Sequence, residues 1–397
     1  MELEENSNAQ PPYSAQHPWL LICHGNVMQK QTFFSVSENR YYIKSIPELK
    51  EKILSAYADE WLVLQSINSN DCYLWNLISN EKIQLPPLPA KCDILNCLLS
   101  APPHDPECQV IFQIETTLDD DDTNGDEDEH ENDNSDEDGD ADSINKDEHE
   151  NSDGDGDEDS NEDEHENSDE HENGNSDEDG DADSINEDDD DEDEDENLLT
   201  FYFCKPGYNE EFHKQDVQSI IGYSRLGIWT VFKKKIYILI GMQDILTCLD
   251  IDNDSGRITA TPMADGSPDL SKSYDAFYKD YLIQSSSNDM LFYVHLIGNG
   301  REFEMPYHFQ VFQFDFIRGR WIKAESIGEI AIFISFPLKT GTTCSTKDTN
   351  LNKECIYFTY GRYLYVYNWI THSISLSLPC PHVSKTKDHH MHWLTLN

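Results

Sequence analysis

Apolar and polar residues alternate along this chain in short bursts, and the burst at 72–86, CYLWNLISNEKIQLP, sets the pattern. Aromatic and branched residues run up to Asn76-Leu77, Ser79-Asn80-Glu81 supply turn chemistry, and Ile83 and Leu85 resume on one face. That order reads as a strand, a tight polar turn and a second strand stopped by proline. The same grammar returns at 245–262, at 309–322 and at 364–379, with a looser copy at 32–47. In each, a small polar residue stands just before the turn: Ser35, Asn76, Asp250, Asp315 and Asn368. Repeated strand–turn–strand units at long intervals predict an array of small sheets.

The spacing supports this. Ser35 and Asn76 are 41 residues apart, and the steps from Asp250 to Asp315 to Asn368 are 65 and 53. Between Asn76 and Asp250 lie 174 residues, but 79 of them (119–197) are an acidic tract; the remaining 95 leave room for two more steps. The series then has five steps of about 51 residues, the range of β-propeller blades. The expected fold is all-β: a kelch-like β-propeller of about six blades, with five or seven as alternatives.

The organisation that follows is a disordered tail at 1–17, a first part of the propeller at 18–118, the tract at 119–197 and the rest of the propeller at 198–397. Strands are expected at 61–67, 72–77, 109–115, 198–204, 217–223, 226–232, 234–240, 245–251, 280–286, 289–297, 307–316, 330–336, 355–360, 362–369 and 373–378. One helix is expected at 45–56, where Ile46, Leu49, Ile53 and Leu54 share a face and Pro47 suits a first turn. The strands on either side of the tract each look like half a hairpin, with Gln113 in the polar place. The tract therefore reads as a long disordered acidic insertion in a hairpin loop. The last short strand, 392–396, is expected to pair near Trp19-Leu20 and close the ring.

Composition sharpens the picture. Of the 79 acidic residues, 45 lie in the tract beside a single base, Lys146, leaving the other 318 residues with 34 acids and 26 bases, a net charge of −8. The formal charge of −52 thus belongs to the insertion and not to the fold. Dense like charge and low hydrophobicity preclude a core there and predict repulsion of nucleic acid. The ten cysteines form no C-x-x-C pair, the N-terminus resembles no signal or transit peptide, and no apolar run is long enough to span a membrane. Reduced, buried cysteines and a cytoplasmic and/or nuclear location are the expectation.

Several segments carry a resemblance: PWLLI, EWLVLQS, LWNLISNEKIQLPPLP, DVQSIIGYSRLGIWTVFKKKIYIL, YLIQSSSNDMLFYV, FQVFQFDFIRGRWIKAESIGEIAIFIS and ECIYFTYG, in that order. Together they resemble the plant KIB-type β-propeller family, a domain often found behind an F-box. The most specific part runs from Tyr281 through Trp321 to Ile334 and on to Cys355-Ile356-Tyr357-Phe358. The resemblance implies a propeller similar to the substrate-holding part of Skp–cullin ubiquitin ligases, some members acting on a glycogen-synthase-kinase-type kinase. An F-box needs about 45 residues of leucine-rich helices, whereas 17 polar residues precede Pro18. That departure puts direct binding to a Skp-type adaptor in doubt and carries the kinase link onto no residue here.

The tract repeats itself: NSDEDGDADSIN occurs at 134–145 and 175–186, and DEHEN four times. Its carboxylates would attract basic surfaces within a few Debye lengths, roughly 8 Å each at physiological salt. A solubilising spacer is the alternative. Ser135, Ser152, Ser160 and Ser176 each have an acid three residues on, the pattern used by acidophilic kinases, and are candidate phosphosites. Asp138-x-Asp140-x-Asp142 and Asp179-x-Asp181-x-Asp183 imitate the start of an EF-hand loop, but Ser143 and Ser184 hold the glycine place and no terminal Glu follows. Asp250-x-Asp252-x-Asp254 reads as a hairpin turn. His389-His390-x-His392, with Cys380 or His382, reads as a polar C-terminal segment in preference to a metal site. Trp61, Trp229, Trp321 and Trp369 read as packing residues between blades. Gly222-Tyr223-Ser224-Arg225-Leu226-Gly227 misses the nucleophile-elbow spacing by one residue, and no P-loop or H-E-x-x-H is present.

The expected function is therefore a non-enzymatic protein-interaction propeller with no cofactor. It would have an unidentified protein partner, a basic protein being one candidate, and the acidic loop would be an auxiliary electrostatic contact. The alternatives are an acidic chaperone-like binder of basic proteins and, behind it, a propeller hydrolase or lyase with its site at the central opening.

Overall fold

A computed structural model describes residues 18–116 and 198–395, apart from short stretches such as 90–91, 221–225, 271–275, 301–305 and 380–389. The segment 119–194 separates from the rest of the chain as a unit of its own. It lies outside the described residues, as do the tail at 1–17 and the candidate phosphosites.

The described residues form six sheets. The first contains β1 (Trp19–His24), β2 (Lys30–Ser35) and β3 (Arg40–Lys44). The second is β4 (Lys52–Ala58), β5 (Trp61–Ser66), β6 (Cys72–Asn76) and β7 (Lys82–Gln84). The third is β8 (Asp93–Leu99), β9 (Val110–Thr116), β10 (Leu198–Cys204) and β11 (His213–Asp216). The fourth is β12 (Leu226–Phe232), β13 (Lys235–Ile240), β14 (Ile245–Asp252) and β15 (Arg257–Pro262). The fifth is β16 (Ala276–Gln284), β17 (Leu291–Asn299), β18 (Pro306–Asp315) and β19 (Arg320–Lys323). The sixth holds β20 (Ile330–Ser335), β21 (Thr340–Ser345), β22 (Cys355–Tyr360), β23 (Tyr363–Asn368) and β24 (Ser373–Pro379). Finally β25 (His390–Leu394) returns to the first sheet and pairs with β1, Leu20 opposite Trp393. The ring closes by joining the two ends of the chain, as the sequence predicted.

Six apolar clusters hold the sheets together, and each one draws its residues from two neighbouring sheets. Trp19, Leu21, Leu62 and Trp75 join the first sheet to the second, and Leu74, Leu85, Val110 and Phe112 join the second to the third. Phe201, Phe203, Ile236 and Ile238 follow, then Leu239, Leu246, Tyr293 and Phe312. Phe309, Val311, Ile332 and Phe358 link the fifth to the sixth, and Leu20, Phe333, Tyr357 and Trp393 return to the first. Six interfaces for six sheets make a closed six-bladed β-propeller. A sheet covered on both faces needs apolar residues on both, which is why β20, IAIFIS, is buried throughout. The outermost strands are more exposed: in β19 only Trp321 is half-buried, and Arg320, Ile322 and Lys323 face water.

Three sequence expectations are corrected. The helix at 45–56 is instead a 3₁₀ turn at Pro47–Leu49 followed by β4. Glu51 takes a positive φ of 57° and reverses the chain, and pairing with β5 satisfies the backbone beyond it. Leu49 and Leu54 do reach one apolar cluster, but from a turn and a strand. Gln113 is not a turn residue: it lies mid-strand in β9, buried, and Asn96 Nδ2 donates to its side-chain oxygen (2.8 Å). The polar residue before the turn in the fourth sheet is Asp252, not Asp250. The strand expected at 217–223 falls largely outside the described residues, and the third sheet is completed by β11. The structure adds β21, which the sequence did not signal. It pairs with β20 on the side away from β22, and β20 and β22 run parallel.

Candidate functional site

In five of the six sheets the turn before the outermost strand follows one plan, closely in three and loosely in two. In the third sheet residues 205–212 make a longer connection, in which the Asn209 side chain accepts from the Lys205 N–H (2.7 Å). In Asn76-Leu77-Ile78-Ser79-Asn80, the Asn76 side chain accepts hydrogen bonds from the backbone N–H groups of Ile78 (2.9 Å) and Ser79 (2.7 Å). Asn80, with φ 61°, donates back to the Asn76 carbonyl (2.9 Å). In Asp315-Phe316-Ile317-Arg318-Gly319 the carboxylate accepts from Ile317 and Arg318, and Gly319 takes φ 63°. Asn368-Trp369-Ile370-Thr371-His372 repeats it, with His372 at φ 51°. Ser35 and Asn39 begin and end a looser version, and Asp252 and Gly256 another. A short polar side chain capping two backbone donors, then a left-handed residue four places on, is the local chemistry that makes these turns rigid.

The plan has a consequence at its third position. Ile78, Ile317 and Ile370 point outward, 52%, 97% and 64% exposed, while the residue before each packs toward the sheet. Phe316, for example, stacks on Phe232 of the neighbouring sheet at 5.2 Å. The strand-end polar residue was legible in the sequence. The exposed isoleucine two places later, present in three of the five turns, is a signal that was missed.

Other side chains link neighbouring blades at their turns. Lys234 donates to Asp105 (2.8 Å), and this bond holds the Asp105 carboxyl below its ordinary range and the Lys234 ammonium above its own. The backbone N–H groups of Arg318 and Ile317 likewise hold Asp315 low.

Two polar groups, one enclosed and one reaching the surface, resemble catalytic furniture. His295 Nδ1 donates to Asp280 Oδ1 (2.6 Å), and the Tyr293 hydroxyl donates to the same oxygen (2.7 Å). Among the described residues His295 Nε2 has no partner, but the ring is wholly enclosed, so no substrate reaches it in this arrangement. In the second group the Tyr367 hydroxyl lies between His308 Nδ1 (3.1 Å) and His372 Nδ1 (2.8 Å). Burial, then the nearby His372, push His308 below the ordinary histidine value. None of the nine described cysteines is in a disulfide, and burial pushes the thiols of Cys23, Cys72 and Cys108 up to about 12, far from a reactive thiolate.

No group of three potential metal-ligating side chains exists among the described residues. His392 sits buried on β25, while Cys380, His382 and His389 lie outside the described set. Trp61 and Trp369 are buried between blades, and Trp229 stacks on Phe201 at 5.7 Å, as packing residues. No described helix is long and apolar enough to cross a membrane.

An open cleft of about 410 Å³ lies against the second sheet, lined by Pro47, Glu48, Lys52, Tyr73, Lys82 and Gln84.

A family model described as the KIB1-4 beta-propeller matches residues 33–120 and 194–375. No curated protein matches the sequence. A solved structure of a protein from Lactobacillus plantarum is similar, with 9% identity, 94% of this chain and 99% of that chain covered and a TM-score of 0.35; at that level it carries no argument.

Proposed function

The chain belongs to the KIB1-4 β-propeller family, and on that premise we propose that it binds a protein partner through the tips of its outer hairpins and does not itself catalyse a reaction. The observation that carries this reading is the repeated presentation of Ile78, Ile317 and Ile370 on turns that their own capping residues make rigid. An isoleucine costs free energy when left in water, and a pre-ordered turn loses little entropy on binding. The role resembles that of the substrate-holding part of F-box proteins. The acidic tract adds a salt-sensitive contact that speeds encounter with basic regions of the partner. Phosphorylation of Ser135, Ser152, Ser160 and Ser176 would deepen that charge, and phosphopeptide mapping of protein from the native tissue checks it.

The tract's 45 carboxylates favour a second reading, an acidic chaperone-like binder for which the propeller is a platform. Co-purification at low and moderate salt separates the two, using the full chain, a chain lacking 119–197, and Ile78→Ser/Ile317→Ser/Ile370→Ser. On the hairpin-tip reading the partner survives moderate salt and loss of the tract and disappears with the triple substitution. Recovery that vanishes with the tract and ignores the isoleucines transfers the function to the tract.

A further inference from the structure

We propose that the cleft formed by Lys52, Tyr73 and Lys82 receives one anionic side chain, a carboxylate or a phosphorylated residue, of a protein bound by the propeller. The inference rests on the protein-binding reading above and adds the chemistry of one contact.

Register builds the cleft. Tyr73 on β6 is opposite Gln84 on β7, and Lys82 is opposite the next-but-one residue, Trp75. Lys52 begins β4 opposite Ser66, whose hydroxyl accepts from its ammonium. The Tyr73 hydroxyl donates to the Glu48 carbonyl (3.2 Å), which fixes the ring. Both ammonium groups then stand 5.5 Å from the ring centre, so they are no farther from each other than twice that distance.

Two like charges held around one ring repel each other, and the ring's negative face offsets only part of that. The described ion pairs of the molecule use Lys50, Lys233, Lys234, Arg318, Lys347 and His295, and neither Lys52 nor Lys82. Glu48 is the one carboxylate in the lining and makes no described ion pair with either lysine, so the cleft holds two positive charges against one negative and can take one further anionic group. Lysine recognises charge without demanding the planar, two-pronged geometry that arginine favours, so either anion suits it. Tyr73 and Pro47 supply an apolar wall for the stem of the incoming side chain. The volume is at the small end of ligand pockets, roughly 300–1,000 Å³, and the cleft is open. Such a site fits a group delivered by a larger partner better than a free metabolite, which would need enclosure.

The full-length protein is titrated with three nine-residue peptides of one neutral sequence whose central residue is serine, glutamate or phosphoserine. Binding is read by fluorescence anisotropy and by NMR signals of 13C-dimethylated lysines, assigned through their loss in Lys52→Gln and Lys82→Gln. The expected result is saturable binding of a charged peptide with shifts at Lys52 and Lys82, no such response to the serine peptide, and at least tenfold weaker binding by Lys52→Gln/Lys82→Gln. Lys347→Gln leaves affinity unchanged. Which charged peptide binds tighter tells carboxylate from phosphate. Equal binding of the serine peptide, unchanged affinity of the double variant, or still signals from both lysines at millimolar peptide overturns the proposal. An unchanged thermal midpoint in the double variant separates lost binding from lost fold. The isoleucine experiment is independent of all these outcomes, so the cleft can fail while the protein-binding reading stands.

Discussion

Between β6 and β7 the chain reverses within residues 77–81, held by Asn76, whereas between β9 and β10 it returns only after residues 117–197. The long connection costs nothing in register. Leu198 stands opposite Thr116, and pairing continues unbroken to Cys204 opposite Val110. The short hairpin is specified locally, by a capping side chain and a left-handed residue. The long one is specified by burial. Phe112, Phe201 and Phe203 are each fully enclosed between sheets, and a one-residue slip of β10 against β9 would turn Phe201 and Phe203 to the opposite face. The comparison teaches that these blades tolerate nearly any connection where packing already fixes the pairing.

The largest expected effect tests the packing side of that contrast. Phe201→Ala removes a ring that is fully buried and stacked on Trp229, and should cost about 3–5 kcal/mol in chemical denaturation. A loss below ~1 kcal/mol would mean that something other than packing aligns β9 with β10.

Replacing 119–197 by a short turn should leave a cooperatively folding protein, more stable by roughly 2 kcal/mol because the closed loop is shorter. Non-cooperative unfolding of that chain would show that the connection does more than join two strands.

On the locally specified side, Asn76→Ala removes two hydrogen bonds from a buried side chain to an exposed turn and should cost about 1 kcal/mol, with Asn76→Asp retaining most of the stability. Equal losses in the two variants would argue against capping.

The smallest effect distinguishes capping residues. Asp315 is held below the ordinary carboxylate range by the N–H groups of Arg318 and Ile317. A depressed value in the folded state stabilises above the unfolded value, about 3.9, and this contribution fades as pH falls through the folded value. Thermal midpoints of the native chain and Asp315→Asn should therefore converge or cross on acidification below pH 4. A constant difference down to pH 2 would remove the carboxylate from the turn's energetics.

Much of this was legible along the chain. Four of the five strand-end polar residues, Ser35, Asn76, Asp315 and Asn368, cap the turns they were expected to mark. Asp250 misled because DIDND offers three carboxylates at alternate positions, and only the register of β14 against β15 selects Asp252. The helix at 45–56 misled because a helical face and a turn leading into a strand can bury the same leucines. Of the candidate sites, the isoleucine tips were written in the sequence at fixed spacing from the caps. The Lys52–Tyr73–Lys82 cleft was not, since its members come from three strands and meet only through pairing.

The amino-acid order alone indicated most of the strands, which turns are tight, and that the charged segment stands apart from a fold of near-neutral balance. Those properties come from neighbours in sequence: alternation, capping and like-charge density. Tertiary structure decided the rest: which sheet each strand joins, that β21 slips in beside β20, which residues of β25 stand opposite β1, and which lysines end up around one ring. These depend on contacts between residues far apart in the chain. Their energy comes from apolar area shared by two sheets, a quantity that no single stretch of sequence contains.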